Sequence, residues 1–368
     1  MGSIAIFTSG SLLARRRRVE ITGRGAVIRK AIITGVCQGG VADVPTPQAK
    51  ADWVLVKVHT APMCTEYKSF LAGTPSQQLG HEAAGEVVEV AQPGRWQVGD
   101  RVVVMPQNPC GVCSLCLAGE YIHCQDPADF AAIHGSREGS ATMAQYLLKQ
   151  ARQLVPIPDG MSYDQASMAC CGLGPTYGAL ERVAAGVLDT VLITGLGPVG
   201  LGGVINATFR GARVIGVESN PWRAQKAIEL GAEAVIDPAA PDALAQILAL
   251  TANGRGVEHS IDCSGVAAAH RLCIDGTRRK GTLSFVGESG RNPSQLFISD
   301  DMIRKGLTLH GSWHYNLALT PKILRVIAAN SHKIDHLISH RFPLQEVQTA
   351  WETQVGGQCG KVLLKPWA

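Results

Sequence analysis

Residues 190–200 read TVLITGLGPVG, and this stretch decides the fold. Thr190 to Thr194 is a continuous apolar run of strand length, as expected of a strand buried on both faces. Gly195, Gly197 and Gly200 follow directly as G-x-G-x-x-G and open a helical stretch that reaches Arg210. In that context the first glycine permits a tight turn and the second lets backbone approach a pyrophosphate. The third lets helix pack on strand. Pro198 and Val199 lie inside the turn, where the helix N-terminus presents free N–H groups to phosphate charge. Glu218 ends the next strand, VIGVE, 18 residues after Gly200. A carboxylate there can accept both ribose hydroxyls and repels a 2′-phosphate, which favours NAD. Arg223, five residues on, keeps NADP open.

Working outward, β-type runs at 213–217, 234–236, 258–262, 282–286 and 308–311 alternate with helical stretches, among them 221–230 and 242–251. This alternation predicts an α/β fold with a parallel, doubly wound sheet. Toward the N-terminus the pattern changes. Residues 30–36, 52–60, 82–90 and 100–105 are short strands with Pro and Gly turns between them, so 30–155 reads as strand-rich and irregular. Helices are expected over 164–171, 175–185, 320–329 and 344–353. Residues 361–365 read as a strand that rejoins the first unit.

Composition agrees with an ordinary enzyme. The 368 residues suit two domains, and 46% hydrophobic against 17% charged excludes wholesale disorder. Glycine is high, 41 residues, in keeping with many tight turns. The net charge of +4 is uneven: residues 1–30 carry +6, so the body is slightly acidic and is not a nucleic-acid-binding surface. No apolar run spans a bilayer. The arginines at 15–18 follow the mildly apolar start, the wrong order for a secretory signal. Residues 1–28 are expected to be a disordered basic extension, a weak targeting segment or a start placed too far upstream. Eleven cysteines, an odd count in a long chain, read as thiols and ligands in a reducing compartment, taken as the cytoplasm.

Cys110, Cys113, Cys116 and Cys124 give C-x2-C-x2-C-x7-C in a Gly- and Pro-containing loop. Four thiolates so spaced can wrap one tetrahedral zinc with no open position, a structural site; iron–sulfur ligation competes. Cys64 (in APMCTEY), His81 and Glu82 (in GHEAAGE) and Cys171 (in ACCGLGPTYG) stand in three separate segments. A mixed Cys/His/Cys set leaves a fourth zinc position for water or substrate. Zinc there lowers the pKa of an alcohol, so that hydride can leave its carbon near neutral pH.

With these segments set out, the chain resembles the zinc-containing medium-chain alcohol and polyol dehydrogenases. The matching pieces are GHEAAGEVVEV, GDRVVV, CGVCSLCLAGEYIHC, CGLGPTYGAL and GLGPVG with Glu218, over about residues 30–368. The resemblance implies a GroES-like β-rich catalytic domain over 29–185, with the zinc lobe at 110–124. A Rossmann domain over 186–318 and a C-terminal segment, 319–368, returning to the first would follow. It implies one catalytic zinc on Cys64, His81 and Cys171, with Glu82 beside it able to enter the coordination shell, and one structural zinc in the lobe. NAD is the expected cofactor, Trp313 is expected to line the cleft, and a homo-dimer or homo-tetramer is expected. One position departs from the family pattern. Where a relay hydroxyl usually stands, two residues after the first cysteine, this chain has Glu66, with Thr65 before it and Ser69 near. Glu66 could act as base, bind zinc, hold a substrate hydroxyl or ammonium group, or face solvent. The expected reaction is hydride transfer from a secondary alcohol or polyol to NAD⁺. The alternatives are a simple primary alcohol or aldehyde dehydrogenase, and a non-catalytic nucleotide-binding scaffold. No nucleic acid or membrane partner is expected.

Overall fold

The computed structural model describes residues 27–368; the basic segment up to residue 26 lies outside the described residues. The first strand begins at Val27, inside the stretch expected as extension. It forms a hairpin of β1 (Val27–Gly35) and β2 (Gln38–Pro45). β2, QGGVADVP, has no alternating apolar pattern and was not expected as a strand. It forms because it can pair antiparallel with β1 along nearly its whole length.

Next come β3 (Trp53–Pro62), β4 (Ala83–Val90), β5 (Arg101–Val104), β6 (Tyr146–Gln150) and β7 (Leu154–Pro156). The second series is β8 (Thr190–Thr194), β9 (Arg213–Val217), β10 (Ala234–Ile236), β11 (Val257–Asp262), β12 (Thr277–Phe285) and β13 (Thr308–Gly311). These six make one parallel sheet in the order β10-β9-β8-β11-β12-β13. All five residues of β8 are buried, which is why that strand reads as an unbroken apolar run. The strand order reverses between β8 and β11, so their carboxyl ends open a crevice at Gly195 and Cys263.

β14 (Ile338–Pro343) and β15 (Lys361–Lys365) then return to the first sheet. Its order is β14-β15-β3-β4-β5-β7, with β6 pairing β3. The helix Val347–Gly356 packs on this sheet through Trp351, fully buried and stacked on Phe70 at 5.2 Å. The helix expected over 164–171 is shorter, Tyr163–Ser167, and starts on a capping box between Ser162 and Gln165. It stops because outside groups bind the following backbone. Tyr315 Oη donates to Ala169 O at 2.6 Å, Asn206 Nδ2 to Leu173 O at 2.8 Å, and Cys171 N–H is taken by Glu82. No helix among the described residues is long and apolar enough to cross a membrane.

Candidate active site

Three turns deliver the metal-type side chains. Cys64 follows the end of β3, held there by the Met63 N–H to Val362 O bond of 2.9 Å. His81 and Glu82 immediately precede β4. The turn into them runs through Gly80 at φ +88°, where an added Cβ would lie 2.1 Å from Thr142 Oγ1. Only glycine lets the chain pass so close in that conformation. Cys171 sits on the turn after the shortened helix. The donor atoms of Cys64, His81, Glu82 and Cys171 lie within 4.8 Å of one another, and His81 Nε2 is 3.1 Å from Cys171 Sγ. Two thiols, an imidazole and a carboxylate in that space are a donor set that fits zinc.

Electrostatics divides the protons among these groups unequally. A hydrogen bond from Cys171 holds the Cys64 thiol well below its usual range against the effect of burial, aided by the Lys361 charge. Cys171 is pushed well above its usual range by hydrogen bonds with Cys170 and Cys64 and by burial. Burial alone would lower His81, but its bonds to Cys64 and Glu66 outweigh that and hold it well up. For Glu66 burial pulls upward, yet the bond with His81 wins and the carboxylate stays below its usual range.

Glu66 stands behind His81 and away from the cleft wall. Its Oε1 is 2.7 Å from His81 Nδ1, and its Oε2 accepts the Cys64 N–H at 3.0 Å. An ionised carboxylate only accepts, so Nδ1 keeps a proton toward Glu66, and Nε2 is the atom that would give up its own to a metal. Thr65 and Ser69, by contrast, line the cleft. Glu82 is fully buried. Its Oε2 accepts from Cys171 N at 2.9 Å and its Oε1 from Lys361 Nζ at 2.6 Å. Burial raises the Glu82 carboxyl and the Lys361 charge opposes it.

The donor sulfurs of Cys110, Cys113, Cys116 and Cys124 also lie within 4.8 Å of one another. Cys110 Sγ and Cys116 Sγ are 3.9 Å apart, close to the edge of about 3.8 Å of a tetrahedron with 2.3 Å Zn–S bonds. Backbone N–H groups of Cys116 and Gln125 bring Cys113 down to about 6, while burial takes Cys116 up to about 12. The lobe is tied to the cleft. Asn316 Nδ2 donates to Ala118 O at 2.7 Å, and Leu317 N to Gly119 O at 2.9 Å.

On the other wall Gly195 has φ +78°, and a Cβ on Gly200 would lie 2.0 Å from Gly195 O. Both glycines are therefore sterically required, and the helix Pro198–Phe209 starts over the crevice. Glu218 accepts from Leu196 N at 2.7 Å and Asn220 N at 2.9 Å, which fixes its carboxylate beside the loop. The Arg223 Nε is buried without a partner among the described residues. Gly195, Gly197, Pro198, Val199, Gly200, Glu218 and Arg223 line the same cleft, about 1240 Å³, as Cys64, His81, Cys171 and Trp313. A dinucleotide on the loop would thus face the sulfur–imidazole set.

Residues 50–159 match the family model of the alcohol dehydrogenase GroES-like domain, and residues 198–329 that of the zinc-binding dehydrogenase. The chain is 32% identical to the uncharacterized zinc-type alcohol dehydrogenase-like protein YphC of Escherichia coli K12, over 87% of this chain and 93% of that one. The chain belongs to the zinc-type medium-chain alcohol dehydrogenase family. The sorbitol dehydrogenase of Bacillus subtilis 168 is another relative, 31% identical over 89% of this chain and 94% of its own. A solved structure from Sinorhizobium meliloti 1021 with NADP bound superposes with a TM-score of 0.81 at 26% identity, covering 93% of this chain and all of that one. As a member of the zinc-type medium-chain family the protein is an oxidoreductase of CH–OH donors, with zinc and NAD(P) as cofactors. Its fold is a GroES-like unit with a Rossmann-type parallel sheet.

Sequence reasoning missed Lys361, although a lysine opening a buried apolar strand signals a buried anion. It also missed Gln354, whose Nε2 donates to Cys64 O at 2.6 Å. His314 also lines the cleft. It is buried, and burial together with the nearby His81 brings it down to about 3, so it is a neutral imidazole.

Proposed function

We propose that this protein oxidises a secondary alcohol or polyol with NAD⁺, or runs the reverse reduction. The observation that carries the reading is Cys64, His81 and Cys171, with the buried Glu82 beside them, on one wall of a cleft whose other wall is the glycine loop. Zinc, when bound, would polarise the substrate oxygen. Cys64, His81 and Cys171 would hold it, and Glu82, kept close by Lys361, would be the movable fourth group. Cys110, Cys113, Cys116 and Cys124 would hold the structural ion. The catalytic unit would comprise 29–185 with 319–368, and the dinucleotide unit 186–318. The polar groups Thr65, Ser69, Gln107 and His314 on the cleft wall support a hydroxylated substrate.

Glu218, fixed by two backbone N–H groups, supports NAD, and the unpartnered Arg223 Nε supports some acceptance of NADP. Glu218→Ala should therefore weaken NAD⁺ more than NADP⁺; equal losses in titrations of both would remove the ribose role. A homo-oligomer is proposed as well, supported by the exposed Phe297, Ile298 and Ile303 near the edge strand β13. Eleven free cysteines support a reducing, cytoplasmic setting.

The experiment is NAD(P)H formation across polyols, secondary, primary and amino alcohols, with chelator and with zinc restored. Chelator-sensitive turnover of secondary alcohols or polyols is expected. Turnover confined to primary alcohols, or unaffected by metal removal, would reject the reading.

A further inference from the structure

Beside the catalytic set lies another group of donors. Cys170, the chain neighbour of Cys171, has its Sγ 3.7 Å from His314 Nε2. Cys171 Sγ lies at the same distance from that nitrogen. The three donor atoms fall within 4.8 Å of one another, and all three residues are buried. An ion with bonds of about 2.3 Å to sulfur and 2.0 Å to nitrogen in a tetrahedron holds such a pair about 3.5 Å apart. The observed spacing is nearly that already.

The imidazole is held from behind. Tyr121 Oη is 3.0 Å from His314 Nδ1, and the ring stacks on Tyr315 at 4.7 Å. Metal-binding histidines are held in this way, one nitrogen fixed by a neighbour and the other presented. Among the described residues, the hydrogen-bonding contacts of Nε2 are the two sulfurs. His314 also has a left-handed backbone, φ +59°, which a non-glycine residue rarely adopts. That conformation turns the ring inward to the sulfurs.

We propose that Cys170, Cys171 and His314 form a second metal seat for a thiophilic ion such as Zn²⁺ or Cd²⁺, sharing the Cys171 sulfur with the catalytic set. Thiolates with imidazole select ions of this class. Any proton still on the Cys170 or Cys171 thiol passes to solvent as the ion binds. Cys171 and His314 both line the cleft, so an ion held there would be reached from the substrate space. The inference rests on reading Cys64, His81 and Cys171 as the catalytic zinc ligands.

The test is a Cd²⁺ titration of the full chain, read as bound metal per chain after gel filtration and as thiolate-to-cadmium absorbance. The wild type should take up one more ion than Cys170→Ala or His314→Asn, the latter chosen because asparagine tolerates the left-handed backbone. Equal uptake by all three proteins would overturn the seat. Anomalous diffraction from wild-type crystals soaked in Cd²⁺ does not depend on the variants folding. A peak among Cys170, Cys171 and His314 supports the seat, and peaks confined to the other donor sets overturn it. A missing peak among Cys64, His81 and Cys171 would instead sink the catalytic assignment, so the two failures are distinct.

Discussion

Glu66 holds two donors at once, His81 through Nδ1 and Cys64 through its N–H. Carboxylates behind a metal-binding histidine typically change metal affinity by 10- to 100-fold. Glu66→Gln should therefore lower zinc affinity at the catalytic set about tenfold, measured by competition with a chromophoric chelator, while dinucleotide affinity stays unchanged. An unaltered zinc affinity would show that Glu66 does not orient the ligand. The proposed ligand residues were singled out in the sequence, because the segments APMCTEY, GHEAAGE and ACCGLGPTYG that carry them resemble the family's. The direction of the Glu66 side chain was not legible. It depends on a tight turn at residues 64–66, where one residue of register decides between cleft and interior. Cys170 and Cys171 differ in the same way: the bond from Cys171 N to Glu82 orients that turn, and composition carries no trace of it.

At the scale of elements, β15 carries two cations into the first sheet. Lys361 Nζ meets Glu82, and Lys365 Nζ meets Asp164 at 2.5 Å. Removing one partner of a buried pair costs about 3–5 kcal/mol, since the other is left charged and dry. Lys361→Met should lose roughly that much in urea unfolding, and the double variant with Glu82→Gln should regain most of it. Full stability in the single variant would contradict the pairing. Asp164 also accepts from Thr60 and Arg341, tying its helix to β3, β14 and β15. Burial raises its carboxyl, but the Lys365, Thr60 and Arg341 bonds outweigh that and leave it below its usual range. Its stabilisation is then complete above the unfolded carboxyl pKa of about 4 and fades as pH falls through the lower folded value. Asp164→Asn should flatten the acid limb of stability below about pH 4; an unchanged limb would reject the tie. The strands of the parallel sheet were legible because they alternate with helical stretches and turns, even where the strand itself is half polar, as in VEHSID and TLHG. β6 and β14 were not, since YLLKQ and ISHRFP contain polar residues whose partners come from distant sequence.

Over the whole molecule, the cleft is built from both sheets, and Lys68 Nζ reaches Glu288 O across it at 3.4 Å. A ligand filling that space braces both sides. A dinucleotide at one hundred times its Kd should stabilise the chain by about 2.7 kcal/mol, seen as a rise in Tm; no rise for either NAD⁺ or NADP⁺ would mean that the glycine loop does not bind. Glu82 and Lys361 are 279 residues apart, with the entire parallel sheet between them. At a synthesis rate of about 5–20 residues per second, roughly 15–55 s pass between their additions to the growing chain. During that interval the nascent first sheet lacks both β15 and the cation for its buried carboxylate. Translation therefore imposes an order: the parallel sheet emerges and can close before the first sheet is complete, and a ribosome stalled ahead of residue 361 holds a chain whose first sheet still lacks β15.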